Sequence, residues 1–276
     1  MKKIAVFGSE GSFGAIAAKK YMEKTEEKCR ICYFQSVNQV IVSLIKECEL
    51  AVLPIENSSD GFVHIVLDML LKDDIYVVGE ISLPVEFSIV GNVDKKEEIK
   101  KLFVKYKIEE QCKKVIEQFE NCELLITESN SESIQRVNYG IDGEAAIVPK
   151  HISRSKGDFR LHIDDVVDGE KNETKFLILT GKHIKNSKTK KEKSYVVIED
   201  AIDRKEALNE VLTHFMDYDV TLNSIISRPT KLKNGKYHFF IEIEGDCYKD
   251  NNVKTALDII SANYKIKLLG AFDTIN

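Results

Sequence analysis

Several features are scarce in this sequence, and each scarcity excludes a class of protein. The 276 residues include six cysteines, too few and too scattered for a disulfide framework in a chain of this length. Charged residues make up 31% but nearly balance at a formal net charge of -5, which does not indicate nucleic-acid binding. The apolar run Ile4 to Phe7 is too short for a signal-peptide core or a membrane span. We therefore expect a cytoplasmic protein with reduced thiols, bound neither to a membrane nor to nucleic acid.

Metal-ligand spacings are also scarce. Cys29 and Cys32 form a C-x-x-C pair, but Arg30 to Phe34 is strand-like, and residues three apart on a strand face opposite ways. No second cysteine pair or nearby histidine completes a zinc site, and the histidines, which stand singly in the sequence, form no metal site of their own. We predict structural cysteines and no metal.

Hydrophobic patterning predicts the organisation of the chain. The first 82 residues alternate strands and helices, with one helix expected near Val37 to Lys46. This order is typical of an α/β fold with a parallel, doubly wound sheet and ligands at the strand C-terminal ends. A similar segment, 83–159, is expected to form an inserted lobe with strands near Phe87, Lys101 and Ala145, and strand Thr174 to Thr180 returns the chain to the first lobe. The lysine-rich residues 183–193 predict a solvated linker. From Ser194 onward the order is βαββαβ, as in ferredoxin-like folds, with a hairpin turn expected at residues 233–235.

Three polar segments follow or flank predicted strands. Gly8 to Gly14 can bring backbone N–H groups to an anion, although a plain tight turn is at least as good an explanation. Pro54 to Ser58 can face a ligand or cap the next helix. In Asn172 to Phe176, Thr174 begins a strand, where threonine is common for its β propensity alone.

Together these segments resemble the prephenate dehydratase family with a C-terminal ACT regulatory domain. Pro54 to Ser58 matches the family's P-I-E-N-S in full, and Asn172 to Phe176 matches N-x-T-R-F with Lys175 in place of arginine. Gly8 to Gly14 follows G-x-x-G-T-F-S, with Ser12 in place of threonine and Gly14 in place of serine.

The resemblance implies a two-lobed, periplasmic-binding-protein-like catalytic domain over residues 1–182 and a ferredoxin-like ACT domain over 194–276. Its lobes would be 1–82 with 160–182, and 83–159. The expected reaction is loss of water and carbon dioxide from prephenate to leave phenylpyruvate, in L-phenylalanine biosynthesis and without a cofactor. The implied catalytic residues are Thr174, Lys175 and Phe176, and the implied substrate-binding residues are Ser12, Phe13, Glu56, Asn57, Ser58 and Asn172.

A threonine hydroxyl is too weakly acidic to be a simple proton donor, so we expect Thr174 to orient the substrate or relay a proton. Glu56 is a candidate acid if it is buried and protonated.

Because several positions depart from the family pattern, the sequence leaves alternatives to prephenate dehydration. Phe87 stands at a family histidine, and Val104 to Lys107 retains none of an S-H-P-Q segment. The alternatives are a dehydratase acting on arogenate, a non-catalytic carboxylate sensor, and a related decarboxylase of prephenate.

The effector motifs of the family are also altered. Its G-A-L-V segment corresponds to Glu206-Ala207-Leu208-Asn209, and its E-S-R-P segment to Ile226-Ser227-Arg228-Pro229. The matching positions Ala207, Leu208, Ser227, Arg228 and Pro229 are the candidate L-phenylalanine ligands. A charged side chain at Glu206 and the loss of a carboxylate at Ile226 predict weak or absent phenylalanine feedback. The resemblance implies a homodimer or homotetramer.

Overall fold

A computed structural model describes residues 1–72, 74–119, 121–155, 158–168, 172–183, 190–202, 207–230 and 236–276. Within these ranges, no helix combines the length and apolar character that crossing a bilayer requires. All six cysteines are free thiols. The predicted hairpin turn at 233–235, most of the predicted linker and Glu206 lie outside the described residues.

The helices and strands follow the predicted alternation. In chain order they are β1 Lys2–Phe7, α1 Phe13–Thr25, β2 Cys29–Phe34, α2 Val37–Lys46, β3 Leu50–Asn57, β4 Gly61–Phe62, α3 His64–Lys72, β5 Tyr76–Pro84, β6 Phe87–Gly91, β7 Lys101–Lys105, α4 Tyr106–Gln111, α5 Lys113–Ile116, β8 Glu123–Thr127, α6 Asn130–Asn138, β9 Glu144–Pro149, α7 Lys150–Ser155, β10 Leu161–Asp164, β11 Glu173–Thr180, β12 Lys193–Ile202, α8 Ala207–Asp217, β13 Leu222–Pro229, β14 Lys236–Glu244, α9 Asn251–Ser261 and β15 Lys265–Phe272.

These elements form two compact units. Residues 1–83 and 174–276 make the first unit, and residues 84–173 make the second. The expected return to the first lobe at residue 160 is therefore wrong, because β10 pairs antiparallel with β6 and keeps the chain in the second unit until Thr174.

The first unit contains a sheet in the order β2-β1-β3-β11-β5, with β4 added to the end of β3. Strand β1 runs parallel to both β2 and β3, as the βαβα order predicts, while β11 runs antiparallel to β3. The helices start where short polar side chains can satisfy their first N–H groups. Ser12 and Ser36 accept from the N–H groups of Ala15 and Gln39, each at 3.2 Å.

In the second unit the sheet order is β10-β6-β9-β7-β8. The predicted strands near Phe87, Lys101 and Ala145 are present as β6, β7 and β9. Strands β8 and β10 were not predicted from the sequence. The short alternating segment that forms β10, Leu-His-Ile-Asp, becomes a strand by pairing along β6.

The C-terminal segment has the predicted βαββαβ order, and its sheet, called here the C-terminal sheet, runs β13-β14-β12-β15. Helices α8 and α9 and the sheet share an apolar cluster that includes Phe215, Ile241 and Leu257. Another cluster joins Phe240 and Leu269 of the sheet to apolar residues of α2, α3 and β3. The C-terminal sheet and the first sheet thus belong to one continuous core.

The end of the predicted linker, residues 190–193, is solvated only in part. The side chain of Lys191 pairs with Asp273 at 2.6 Å, and Lys193 is already the first residue of β12. Lys190 and Glu192 at the same end are exposed, so only Lys191 and Lys193 depart from the predicted solvation, because each meets a carboxylate.

Candidate active site

Asn57 and Thr174 lie opposite each other where β3 and β11 pair. The Asn57 Nδ2 group donates a hydrogen bond to Thr174 Oγ1 at 2.9 Å, between residues 117 positions apart in the sequence. Both side chains are partly buried. The structure therefore brings together the two segments that the sequence analysis singled out.

The direction of this hydrogen bond is set by the turn that follows Asn57. Asn57 Oδ1 accepts from the backbone N–H groups of Ser59 and Asp60, each at 3.0 Å. An amide oxygen only accepts and an amide nitrogen only donates, so the –NH₂ group must face Thr174. The Thr174 oxygen therefore accepts from Asn57, and its own proton does not point towards Asn57.

Helix capping, the structural alternative for Pro54 to Ser58, is not what this segment does. Strand β3 continues through Asn57, then turns back through β4, and α3 starts only at His64. Gly61 closes the turn with a φ of 76°, in the left-handed region that glycine adopts readily. Ser58 lies exposed in this turn.

A bulge in the same ladder sets which side chains face the site. Lys175 pairs with Glu56, but Phe176 pairs with Pro54, so Ile55 is the extra residue on β3. The carbonyl of Ile55 accepts from the Val63 N–H at 2.8 Å, which ties the strand to the residue before α3. The bulge re-aims Glu56 and Asn57 relative to the buried part of the strand.

Lys175 and Glu56 form an ion pair with a 2.8 Å Nζ to Oε2 distance. Burial acts to lower the pKa of Lys175, but the hydrogen bond and charge of Glu56, helped by the charges of Glu242 and Glu80, outweigh it and raise that pKa. The lysine is thus held as a cation. Glu56 accepts from this cation, an arrangement suited to holding the lysine rather than to donating a proton.

The other candidate residues of the first unit lie near the ends of its strands or in its core. Ser12 caps α1, just beyond the C-terminal end of β1, which is the neighbour of β3 in parallel register. Phe176 is buried, and with Phe13 it belongs to the apolar cluster beneath α1. The two rings therefore support the strand and helix that carry the polar side chains.

Asn172 lies in the second unit and is buried there. Its Nδ2 group donates to Gln111 Oε1 at 3.3 Å, and its carbonyl accepts from the Val85 N–H at 2.7 Å. Phe87, at the family's histidine position, is part of the buried interior of the same unit.

The candidate effector residues are spread over the C-terminal segment. Ala207 is buried, Ile226 belongs to one buried apolar cluster, Leu208 packs at the edge of another, and Ser227 and Pro229 are exposed. Arg228 is engaged by Asp68 of α3, with 2.8 Å between Nη2 and Oδ1.

A buried charged cluster near Lys175 was missed by the sequence analysis. Lys193 Nζ lies 3.0 Å from Glu80 Oε1 and 3.1 Å from Glu242 Oε1, and both carboxylates are almost completely buried. The Tyr195 hydroxyl donates to Glu242 at 2.7 Å. A signal was present, since Glu80 and Glu242 each interrupt an apolar strand, a position where a charge needs a partner.

Comparisons with known proteins agree with this geometry. Residues 4–184 match the family model described as prephenate dehydratase. A prephenate dehydratase of Methanocaldococcus jannaschii is 27% identical over 251 residues, covering 90% of each chain. The crystal structure of the prephenate dehydratase from Staphylococcus aureus superposes with a TM-score of 0.85 at 25% identity, over 99% of this chain and 100% of that one. A prephenate dehydratase from Arthrobacter aurescens, solved in complex with L-Phe, has the same fold, with a TM-score of 0.81 at 24% identity over 98% of this chain and 90% of that one.

The fold prediction is therefore confirmed, and so is the lyase activity in phenylalanine biosynthesis that the motifs indicated. The match covers the strand ladder of Asn57 and Thr174 as well as the whole second unit. The chain belongs to the prephenate dehydratase family, whose enzymes convert prephenate to phenylpyruvate with loss of water and carbon dioxide.

Proposed function

We propose that the chain dehydrates prephenate through a hydroxyl of fixed direction, that of Thr174. Loss of carbon dioxide breaks a C–C bond, its electron pair moves into the ring, and the ring C–O bond breaks as the ring becomes aromatic. The departing oxygen gains negative charge during this step. A hydrogen-bond donor aimed at that oxygen lowers the barrier more than it stabilises the bound substrate.

The observation that carries this proposal is the hydrogen bond from Asn57 to Thr174. Because Asn57 can only donate in that direction, the Thr174 proton is committed to another acceptor. Thr174 need not give up its proton outright, since the water that leaves can take a proton from solvent through the same hydroxyl. This orienting role suits a group of low acidity.

Lys175 supplies the positive charge that a substrate with two carboxylates requires. Its ammonium is held at Glu56, and a lysine has three donors, so a substrate carboxylate can be bound without breaking that contact. Ser12, Ser58 and Asn172 are the further candidate ligands. Glu56, Phe13 and Phe176 act by holding these groups in place.

The test is phenylpyruvate formation from prephenate by Thr174→Val and Thr174→Ser. Thr174→Val keeps the shape but removes the hydroxyl, and we expect kcat to fall by about 10²-fold or more. Thr174→Ser restores the hydroxyl and should recover most of the activity. Thr255→Val is the matched control, because Thr255 is an exposed threonine of α9 that bonds only within its helix in the described contacts. Normal turnover by Thr174→Val would contradict the proposal.

For the C-terminal segment we propose an ACT domain that supports a homodimer or homotetramer and binds L-phenylalanine weakly. The βαββαβ order and the likeness to a structure solved with L-Phe support the domain, and the buried apolar Ile226 in place of a carboxylate supports weak binding. Calorimetric titration of the wild type with L-phenylalanine tests this, and tight binding would contradict it. Sedimentation of the same sample tests the assembly.

A further inference from the structure

Arg228, a motif residue of the C-terminal sheet, makes a two-pronged contact with a helix of the first lobe. Its Nε and Nη2 atoms both donate to Asp68 Oδ1, at 3.1 and 2.8 Å. The two side chains are only 18% and 20% exposed. A charge pair so far removed from water is held more tightly than a surface pair, and losing one partner leaves the other poorly solvated.

The same helix is held at its C-terminal end by the opposite edge of the C-terminal sheet. Lys267 of β15 donates from Nζ to the carbonyl oxygens of Leu70 at 2.8 Å and Leu71 at 3.3 Å. These carbonyls belong to the last turn of α3, where a cation also meets the negative end of the helix dipole. Edge strands β13 and β15 thus both bind α3.

Apolar packing reinforces these polar contacts. Leu67 and Leu70 of α3 belong to one buried cluster with Ile226 and Phe240 of the C-terminal sheet. Packed interiors deform little, so a helix fixed at several points behaves as one body with the sheet that holds it.

The N-terminal end of α3 follows directly on the hairpin formed by β3 and β4, which carries Asn57 and is called here the hairpin. The helix starts at His64, and the preceding residue Val63 donates its N–H to the bulged Ile55. Phe62 and Gly61 pair with Glu56 and Asn57. The position of α3 therefore sets the position of the turn that orients the Asn57 amide.

We propose that Arg228 is a positioning residue for the dehydratase reaction: through Asp68 and α3 it holds the hairpin that carries Asn57. The inference rests on the proposed role of the Asn57–Thr174 pair. It assigns to the S-R-P segment a part in catalysis without any effector. The C-terminal sheet then contributes to turnover itself, and a shift of that sheet would be transmitted to the hairpin.

The experiment compares Arg228→Gln, Asp68→Asn and the double variant with wild type in phenylpyruvate formation, first without phenylalanine and then with it added; the effects expected below are those without it. Each single change should lower kcat by about two- to thirty-fold, with KM changed less than about two-fold. The double variant should lose no more than the worse single variant, because both changes remove the same contact. Arg228→Lys, which keeps a cation, should recover part of kcat.

A second measurement does not depend on activity. Hydrogen exchange followed by mass spectrometry should show faster exchange in residues 55–66 of Arg228→Gln and Asp68→Asn, with the rest of the first sheet unchanged. The matched control is Glu199→Gln, which breaks the Glu199–Lys265 ion pair of the same sheet and leaves α3 untouched. It should change neither kcat nor exchange in the hairpin.

Three results would overturn the inference. One is normal kcat in both single variants with only a lower melting temperature, which would make the contact merely structural. Another is loss of kcat in Arg228→Gln but not in Asp68→Asn. The third is an effect seen only when phenylalanine is added, which would make Arg228 an effector ligand. Wild type and Thr174→Val are compared in the same assay. If Thr174→Val loses turnover, the proposed function holds, and any of the three results overturns only the role of Arg228.

Discussion

The amide of Asn57 donates to the hydroxyl oxygen of Thr174 at 2.9 Å, and two backbone N–H groups prevent that amide from turning round. A side chain that can only donate on one side excludes its neighbour's proton from that side. Neither residue is unusual alone, but together they leave the Thr174 proton available for an acceptor other than Asn57.

The first prediction concerns Asn57→Asp. An aspartate keeps an oxygen for Ser59 and Asp60, so the turn should survive, but its second oxygen accepts where the amide donated. The Thr174 proton should then turn towards residue 57 and away from substrate. We expect kcat for prephenate to fall by about 10²-fold with the melting temperature little changed.

Asn57→Ala is the comparison for that variant, because it removes the donor without adding an acceptor. Its kcat should fall less than that of Asn57→Asp if the proton direction is what matters. Equal losses in the two variants would show that only the position of Thr174 depends on Asn57.

The second prediction concerns Lys175. Lys175→Met leaves the half-buried Glu56 carboxylate without its cation, and we expect kcat/KM to fall by about ten- to a hundred-fold. Lys175→Arg introduces the family's residue, whose planar fork can hold Glu56 and a substrate carboxylate together. It should keep activity within about three-fold of wild type. Steady-state kinetics with prephenate provide the measurement, and a Lys175→Met enzyme as active as wild type would remove the lysine from the site.

Long hydrophobic patterns in the sequence predicted their helices and strands better than short ones did. Helix α2 was predicted with the bounds that the structure gives it, because Val37 to Lys46 has strong apolar periodicity and a serine at its cap. Strand β10 was not predicted, since Leu161 to Asp164 is short and is stabilised by β6, about 70 residues earlier.

The candidate site was predictable in its residues but not in its contacts. Asn57 and Thr174 stood out by resemblance, whereas their pairing depends on strand register, which tertiary packing sets. The helix-cap alternative failed because the bulge at Ile55 and the turn at Gly61 separate Ser58 from α3. The contact of Arg228 with Asp68 joins residues 160 positions apart and has no local signal.

The third prediction concerns Gly14, where the family pattern has serine. A Cβ atom at this position would lie 2.9 Å from the backbone oxygen of Phe7, closer than such contacts occur. Gly14→Ser should therefore force α1 away from β1 and lower the free energy of unfolding by about 1–3 kcal/mol. Gly181→Ala is the control, since its Cβ would be 3.8 Å from the nearest atom. Urea denaturation checks both, and an unchanged Gly14→Ser midpoint would show that α1 can shift without cost.

The fourth prediction concerns the buried Glu242 carboxylate and the acid limit of stability. Burial acts to raise the pKa of Glu242, but the Tyr195 hydroxyl and the charges of Lys193 and Lys175 outweigh it and hold the pKa below its ordinary value of 4.5. A carboxyl with a depressed pKa in the folded state stabilises the fold above its ordinary pKa, and that contribution is lost as the pH falls through the folded value.

Glu242→Gln removes this dependence. We expect the variant to be less stable than wild type at about pH 7, and the difference to shrink as the pH falls towards about 3. Urea midpoints across that range give the two curves. Glu244→Gln, an exposed change at the end of the same strand, should run parallel to wild type. A Glu242→Gln curve that also runs parallel to wild type would mean that the buried charged cluster of Lys193, Glu80 and Glu242 contributes no pH-dependent stability. Lys175 would then be held by Glu56 without help from the C-terminal sheet.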